Sequence, residues 1–240
     1  MGYRPMAELR SWATMALTSL LPAGAEMAYI AGSSGQGRTP AVIVADLDGD
    51  GFPEISVVYR MHGELRIAIL HRNQDHSWRQ VANFKGLGCE VTDLIVAPIA
   101  APGKNTLLIG WQIGSIWSVL DLIEWTPGGY KRLLPGDRYY SKLEAEDMPG
   151  GPGAPSGQAE IALWVHDTGE AYKVSVYRWD GEKLVSASPE ATRYYFKRVV
   201  RYYEDLVKEY PDYTFYKTYL EDARKKANAR QANAGKSLRL

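Results

Sequence analysis

The chain carries one cysteine, Cys89, and four histidines in 240 residues, and its 28 basic side chains are balanced by 28 acidic ones. One thiol excludes an intrachain disulfide and any metal cluster built from several cysteines. Charge balance argues against a dominant nucleic-acid interface, which needs a basic excess, so no nucleic-acid partner is expected. Nowhere do 18 apolar residues run uninterrupted, so no transmembrane segment is expected either. The four histidines, His62, His71, His76 and His166, form no zinc-protease spacing and none lies beside a nucleophile elbow. His71 and His76 flank a hairpin turn and are expected to be solvated. The glycine-rich stretch from Gly32 to Gly37 lacks a following Lys-Ser/Thr and is a loop rather than a phosphate cradle.

What remains is an ordinary foldable composition, 45% hydrophobic and 23% charged. Near the start, Trp12 to Ala25 follows Arg4 and Arg10 and has the rough layout of an export signal. Glu8 and three hydroxyl residues interrupt that layout. Leu9, Trp12, Ala13, Ala16 and Leu20 share one helical face, so the preferred expectation is a short amphipathic helix docked on the body.

Residues 39–187 contain a repeat. Glu54 to Arg60, Thr106 to Gln112 and Glu160 to His166 read as one strand recurring at intervals of 52 and 54 residues, each three positions after a glycine, Gly51, Gly103 or Gly157. A second strand follows each time, at Leu65 to Leu70, Trp117 to Ile123 and Tyr172 to Trp179. The intervening turns are His62-Gly63, Gly114-Ser115 and Asp167 to Gly169. Third strands are expected at Trp78 to Asn83, Tyr130 to Leu134 and Lys183 to Ser186, and leading strands at Ala41 to Ala45, Asp93 to Ala97 and Tyr140 to Ala145. Four antiparallel strands per repeat is the content of a propeller blade. Ile55, Val57, Leu107, Ile109, Ile161 and Leu163 alternate as positions facing one common core would. The expected fold is therefore mainly β, with three propeller-like antiparallel blades in an open or incomplete propeller, followed by a C-terminal α-helical hairpin.

The first repeat opens with Asp46-Leu-Asp-Gly-Asp-Gly-Phe-Pro-Glu54, which places carboxylates at loop positions 1, 3, 5 and 9 and glycine at 6. Alternate oxygen ligands on a tight turn point inward, as a Ca²⁺ loop requires, and Phe52 would add its backbone carbonyl. Position 12 is Val57, so this is not a helical calcium hand. Three carboxylates within five residues repel one another unless a cation neutralises them. Asp46, Asp48, Asp50, Phe52 and Glu54 are thus the expected metal ligands and Ca²⁺ the expected ion.

The stretch from Ala45 to Tyr59 resembles the FG-GAP or VCBS-type calcium-loop repeat of integrin alpha-subunit propellers and many bacterial surface proteins. The resemblance implies calcium at those same five positions, an extracytoplasmic or cell-surface location, and a role in protein interaction or adhesion. The second repeat has lost every acidic ligand across Pro98 to Gly103. The third shows Pro152, Ala154, Ser156 and Gly157 at the places counted back from its glycine.

Beyond Ser188 the composition changes, with eight of the 16 tyrosines falling between Tyr194 and Tyr219. Ser188-Pro189 is a helix start. Phe196, Val199, Val200, Tyr203, Leu206, Val207 and Tyr210 form its apolar stripe, and Pro211-Asp212 ends it and caps a second helix. The tyrosines are expected to pack on the strands while Lys and Arg solvate the outer face. The chain is accordingly expected to divide into an N-terminal segment 1–38, a three-repeat β domain 39–187, a helical hairpin 188–232 and a disordered tail 233–240.

The function these features imply is a non-catalytic, extracytoplasmic calcium-binding module for a protein or glycan ligand. One alternative is a carbohydrate-binding protein stacking sugars on Trp78, Trp111, Trp117, Trp125, Trp164 or Trp179. Another is a hydrolase using Glu144, Glu146 and Asp147 as acid and base.

Overall fold

The computed structural model describes residues 17, 19–32, 39–134, 136–150 and 155–229. Most of the expected N-terminal helix and the expected tail 233–240 lie outside them. The protein is mainly β, 47% strand in three antiparallel sheets, with a two-helix segment at its C-terminal side. Among the described residues no helix is long and apolar enough to cross a membrane.

The strands are β1 (Glu26–Met27), β2 (Val42–Ala45), β3 (Glu54–Met61), β4 (Glu64–Arg72), β5 (Trp78–Lys85), β6 (Glu90–Ala101), β7 (Lys104–Gln112), β8 (Ser118–Thr126), β9 (Gly129–Arg132), β10 (Tyr139–Tyr140), β11 (Lys142–Glu146), β12 (Glu160–His166), β13 (Tyr172–Trp179) and β14 (Leu184–Ser186). A long helix (Pro189–Glu209) and a short one (Thr214–Asn228) follow. The expected repeat strands all form. In the first sheet β2 pairs with β3, β3 with β4 and β4 with β5; the third sheet runs β11, β12, β13, β14; in the second, β7, β8 and β9 pair in turn. The β3–β4 turn is made by His62 and Gly63, both at positive φ (50° and 82°), the twist a two-residue hairpin needs.

The chain forms two compact units, Met1–Val96 with Lys104–Tyr139, and Ala97–Gly103 with Tyr140–Leu240. In the first, β3 is buried on both faces: Val57 and Val58 are each fully inaccessible. Val58, Ile67 and Ile69 pack with Leu107, Ile109 and Trp111 of the second sheet, whereas Val57, Tyr59 and Leu70 pack beneath Leu17 and Leu21. Leu17 and Leu20 are helical, the described part of the docked helix the sequence suggests. This corrects the single common core. Ile55 and Val57 do not share a core with Leu107 and Ile109, because the two sheets stack with equivalent faces turned the same way. Their contact is then made of opposite faces.

In the second unit the third sheet is covered by helices. Ala162 and Trp164 of β12 occupy the positions that Ser56 and Val58 hold in β3, and they pack with Val174 and Val176 against Tyr195, Phe196, Val199 and Tyr203 of the long helix. The Trp164 indole N–H donates to the Tyr195 hydroxyl at 2.7 Å. Ser188 caps the long helix, its Oγ accepting from the Ala191 N–H at 3.1 Å. The expected cap of the short helix is corrected: its N-cap is Tyr213, without a side-chain cap bond, and Asp212 lies one residue earlier. The Tyr210, Tyr213 and Tyr216 rings cluster at this turn, and Asp212 is exposed. Tyr203 and Tyr219 stack at 5.5 Å and Tyr216 is buried, while Tyr194 and Tyr213 stay exposed.

A buried carboxylate ties β8 to its neighbours. Asp121 is inaccessible, accepts from the Trp111 indole N–H at 3.0 Å and pairs with the Arg132 guanidinium at 2.9 Å. Burial raises its carboxyl above the ordinary value, against the opposing pull of Arg132. Asp121→Ala strands the indole N–H and the guanidinium and should cost about 3 kcal/mol in urea unfolding at neutral pH. Because the folded chain holds this proton to higher pH than the unfolded one, the proton-linked increment of stability, separate from the contacts that Asp121→Ala removes, is full at acid pH. It is lost as pH rises from about 4 through the folded pKa. The stability difference between wild type and Asp121→Asn, followed by urea unfolding across pH, should fall over that interval and then level off.

Candidate metal centre

The β2–β3 register, Ala45 opposite Glu54, makes Asp46 to Pro53 a loop between antiparallel strands. Gly49 and Gly51 sit at φ 82° and 88°, left-handed values that a side chain would strain. They let the carboxylates fold back onto the loop's own amides. Asp46 Oδ1 accepts from the Gly49 N–H at 2.7 Å and Oδ2 from the Gly51 N–H at 3.0 Å. Asp48 Oδ1 accepts from Asp50 and Asp50 Oδ1 from Phe52, at 3.1 and 2.8 Å. Leu47 is buried and anchors the loop in the core, and Asn105 donates its amide to the Asp46 carbonyl at 2.7 Å.

Five positions were expected to act together, and the structure sorts them. Asp46, Asp48 and Asp50 each bring an oxygen within 4.8 Å of the others, a group that could hold a metal ion. Glu54 is not a member of that trio, though it lies near Asp48, and it is nearly inaccessible, at 1%. Its Oε2 accepts from the Leu47 N–H at 2.8 Å and its Oε1 lies 3.0 Å from His71 Nδ1. The Phe52 ring is exposed, and its N–H is the one bonded to Asp50. Asp48 joins Glu54 and His71 in a second group of the same compactness, with His71 Nδ1 3.8 Å from Asp48 Oδ2.

The expectation that His71 is solvated is therefore corrected. The β3–β4 register sets Ile55 opposite Leu70, and one further step puts His71 beside Glu54. Counting outward from the His62-Gly63 turn would have found this pair. Tyr130 also borders the acidic residues: burial, then the charges of Glu54 and Asp48, push its phenol far up. Asn105 and Tyr130 carried no motif signal, since each arrives from the second sheet.

The third sheet contains a second copy of part of this site, which the count back from Gly157 overlooked. Asp147 accepts from the Ser156 and Gly157 N–H groups at 3.0 and 2.8 Å, as Asp46 does from Gly49 and Gly51. Glu160, buried like Glu54, accepts from the Met148 N–H at 2.9 Å, as Glu54 does from Leu47. The two bonds span 12 and 7 positions, so the third loop is longer and an ungapped alignment misses the match. Pro152 and Ala154 lie outside the described residues. Burial raises the Glu160 carboxyl above its ordinary value, opposed by the Met148 N–H. In the second repeat, Thr106 stands where Glu54 and Glu160 do, and β6 and β7 leave only Pro102-Gly103 between them. Asp46 and Glu54 thus belong to a loop framework, and Asp48 and Asp50 are additions peculiar to the first loop.

The side chains weighed for other chemistry are placed as follows. Trp111, Trp164 and Trp179 are buried and cannot stack on a sugar, while Trp78, Trp117 and Trp125 are half-buried. Glu144 pairs with Lys142 and Arg198 at 2.9 and 2.5 Å. Glu146 meets Arg198 and the Tyr194 hydroxyl at 2.9 and 2.6 Å. No protein-family model matches the chain, and no curated protein does.

Framework and added carboxylates should separate experimentally. Urea unfolding in EDTA should show Glu54→Ala and Glu160→Ala each losing about 2–3 kcal/mol, because each strands a buried backbone N–H. Asp50→Ala, which relieves repulsion at an exposed turn position, should stay within about 0.5 kcal/mol of wild type.

Proposed function

We propose that the chain is a non-catalytic, extracytoplasmic binding module of the FG-GAP/VCBS type, built from three propeller-like blades, in which Ca²⁺ stiffens the first blade loop. The observation that carries this reading is the convergence of the Asp46, Asp48 and Asp50 oxygens on one point of a glycine-hinged strand-loop-strand turn. An all-oxygen set on alternate loop positions suits a hard cation. The Phe52 carbonyl would add a fourth oxygen, and Glu54 would complete the set with Oε1, the atom now facing His71. A few ligands on one loop suit the millimolar calcium available outside cells, which supports the extracytoplasmic assignment. The blade loops then present a surface for a protein or glycan partner. A second reading rests on His71: with Asp48 and Glu54 it offers the mixed nitrogen and oxygen donors that Zn²⁺ prefers.

Thermal unfolding in EDTA, CaCl₂ and ZnCl₂ separates these outcomes. Calcium at about a hundred times its Kd should stabilise the wild type by about 2.7 kcal/mol. Asp50→Ala should lose that shift and His71→Ala should keep it. A shift with zinc alone that His71→Ala abolishes would replace calcium by the mixed-donor reading. No shift with either ion would sink the metal-loop function.

A further inference from the structure

The third sheet leaves part of an edge without a pairing strand beside the helical hairpin, at Val174, a residue 5% exposed. β14 pairs only with Tyr177–Trp179 of β13, and the Ala187 N–H then donates to the Val176 carbonyl at 2.9 Å. At the other end, the Tyr203 hydroxyl takes the Tyr172 N–H at 2.9 Å and donates to the Tyr172 carbonyl at 2.6 Å. Backbone groups alternate sides along a strand, so Tyr172, Val174 and Val176 all direct N–H and C=O away from β12. The Trp164 carbonyl, opposite Val174, is bonded instead to the Ser141 N–H on the β11 side, as this alternation demands. Between the two capped ends, the Val174 N–H and C=O have no strand partner among the described residues.

Against this edge lies a cleft of about 430 Å³ between β13 and the two helices. Phe196, Val199, Tyr219 and Ala223 make it apolar, and two lysines border it, Lys173 and Lys226, the latter with its Nζ 5.0 Å over the Phe196 ring. The Lys173 side chain is 71% exposed and pairs with Asp167; Lys226 is 43% exposed and pairs with Asp222. Exposed pairs of this kind are worth little and exchange readily for a ligand carboxylate.

We propose that this cleft binds a short extended peptide by strand addition to β13. The peptide backbone pairs with Val174, an apolar side chain enters between the helices, and an acidic neighbour meets Lys173 or Lys226. Unpaired strand groups select an extended backbone, the apolar cleft selects the inward side chain, and the lysine rim selects charge. The edge is closed at both ends, by the Tyr203 hydroxyl and by Ala187, so its occupant is a few residues long. A second copy of the chain would need a longer free strand to form a stable pair. The inference goes beyond the calcium reading and does not depend on it.

The test is fluorescence anisotropy of the full chain, in EDTA and again in CaCl₂, with a blocked, fluorescein-labelled Glu-Val-Glu-Val-Glu peptide. Saturable binding is expected in both buffers, with a Kd on the order of 100 μM. Lys173→Glu with Lys226→Glu should weaken it by about tenfold. Thr218→Trp, at an exposed lining position, should block it while the melting curve reports an intact fold. Hydrogen exchange at the Val174 amide should slow when the peptide is bound. Absence of saturation up to about 2 mM would overturn the proposal, since at that Kd binding would be nearly complete. So would binding that survives Thr218→Trp with the Val174 amide unprotected. A concentration-dependent dimer that Thr218→Trp abolishes would assign the cleft to a second copy instead.

Discussion

Wherever two strands of a repeat are joined by a loop, the first buried residue after the leading strand has a backbone N–H and no strand to pair it with. A carboxylate at the head of the next strand solves this in two repeats. Glu54 takes the Leu47 N–H and Glu160 takes the Met148 N–H, each from a buried position. An unpaired buried N–H is costly enough to decide the local conformation. With that bond in place, Leu47 and Met148 can turn into the core, and Asp46 and Asp147 can gather the loop amides. The second repeat shows the other solution: β6 and β7 are separated by two residues, and the buried carboxylate is replaced by Thr106.

This framework explains why the candidate site can exist at all. A loop already held by Asp46 and Glu54 tolerates extra carboxylates at Asp48, half-buried, and Asp50, exposed, whose repulsion stays local. His71, brought opposite Glu54 by the hairpin register, supplies a compensating donor from the neighbouring strand. The first loop therefore carries acidic groups surplus to its architecture, and surplus charge of one sign converging on a point is what distinguishes it from its third-repeat counterpart.

A second constraint acts on the sheets. In the first unit, stacking with equivalent faces turned the same way leaves the first sheet with one face that its own repeat cannot bury. In the first unit the face bearing Val57 and Tyr59 is covered by Leu17 and Leu21. In the second unit the face bearing Ala162 and Trp164 is covered by the helical hairpin, whose tyrosines satisfy the indole and the strand edge while filling the space. The density of tyrosine in the last fifth of the chain follows from these two demands, since the residue combines a large apolar ring with a hydroxyl that can reach a polar partner.

Strand positions, hairpin turns and the two helices were legible in the residues themselves, because period-two alternation, positive-φ turn residues and a Ser-Pro helix start act over a few neighbours. So was the acidic loop, whose spacing is a local matter. The pairing of His71 with Glu54 was legible too, by counting from a turn already assigned. The face each strand turns to which neighbour was not, since alternation marks two faces without saying what meets each. Nor were Asn105, Tyr130 and the framework match of Asp147 and Glu160. The first two come from another sheet, and the last is hidden by a change in loop length. By itself the sequence determined the elements and the chemistry each carries, since those depend on contacts within a few residues. Only the tertiary structure decided which carboxylates the loop itself needs and which are surplus to it, because that depends on which backbone amides burial leaves without a strand partner.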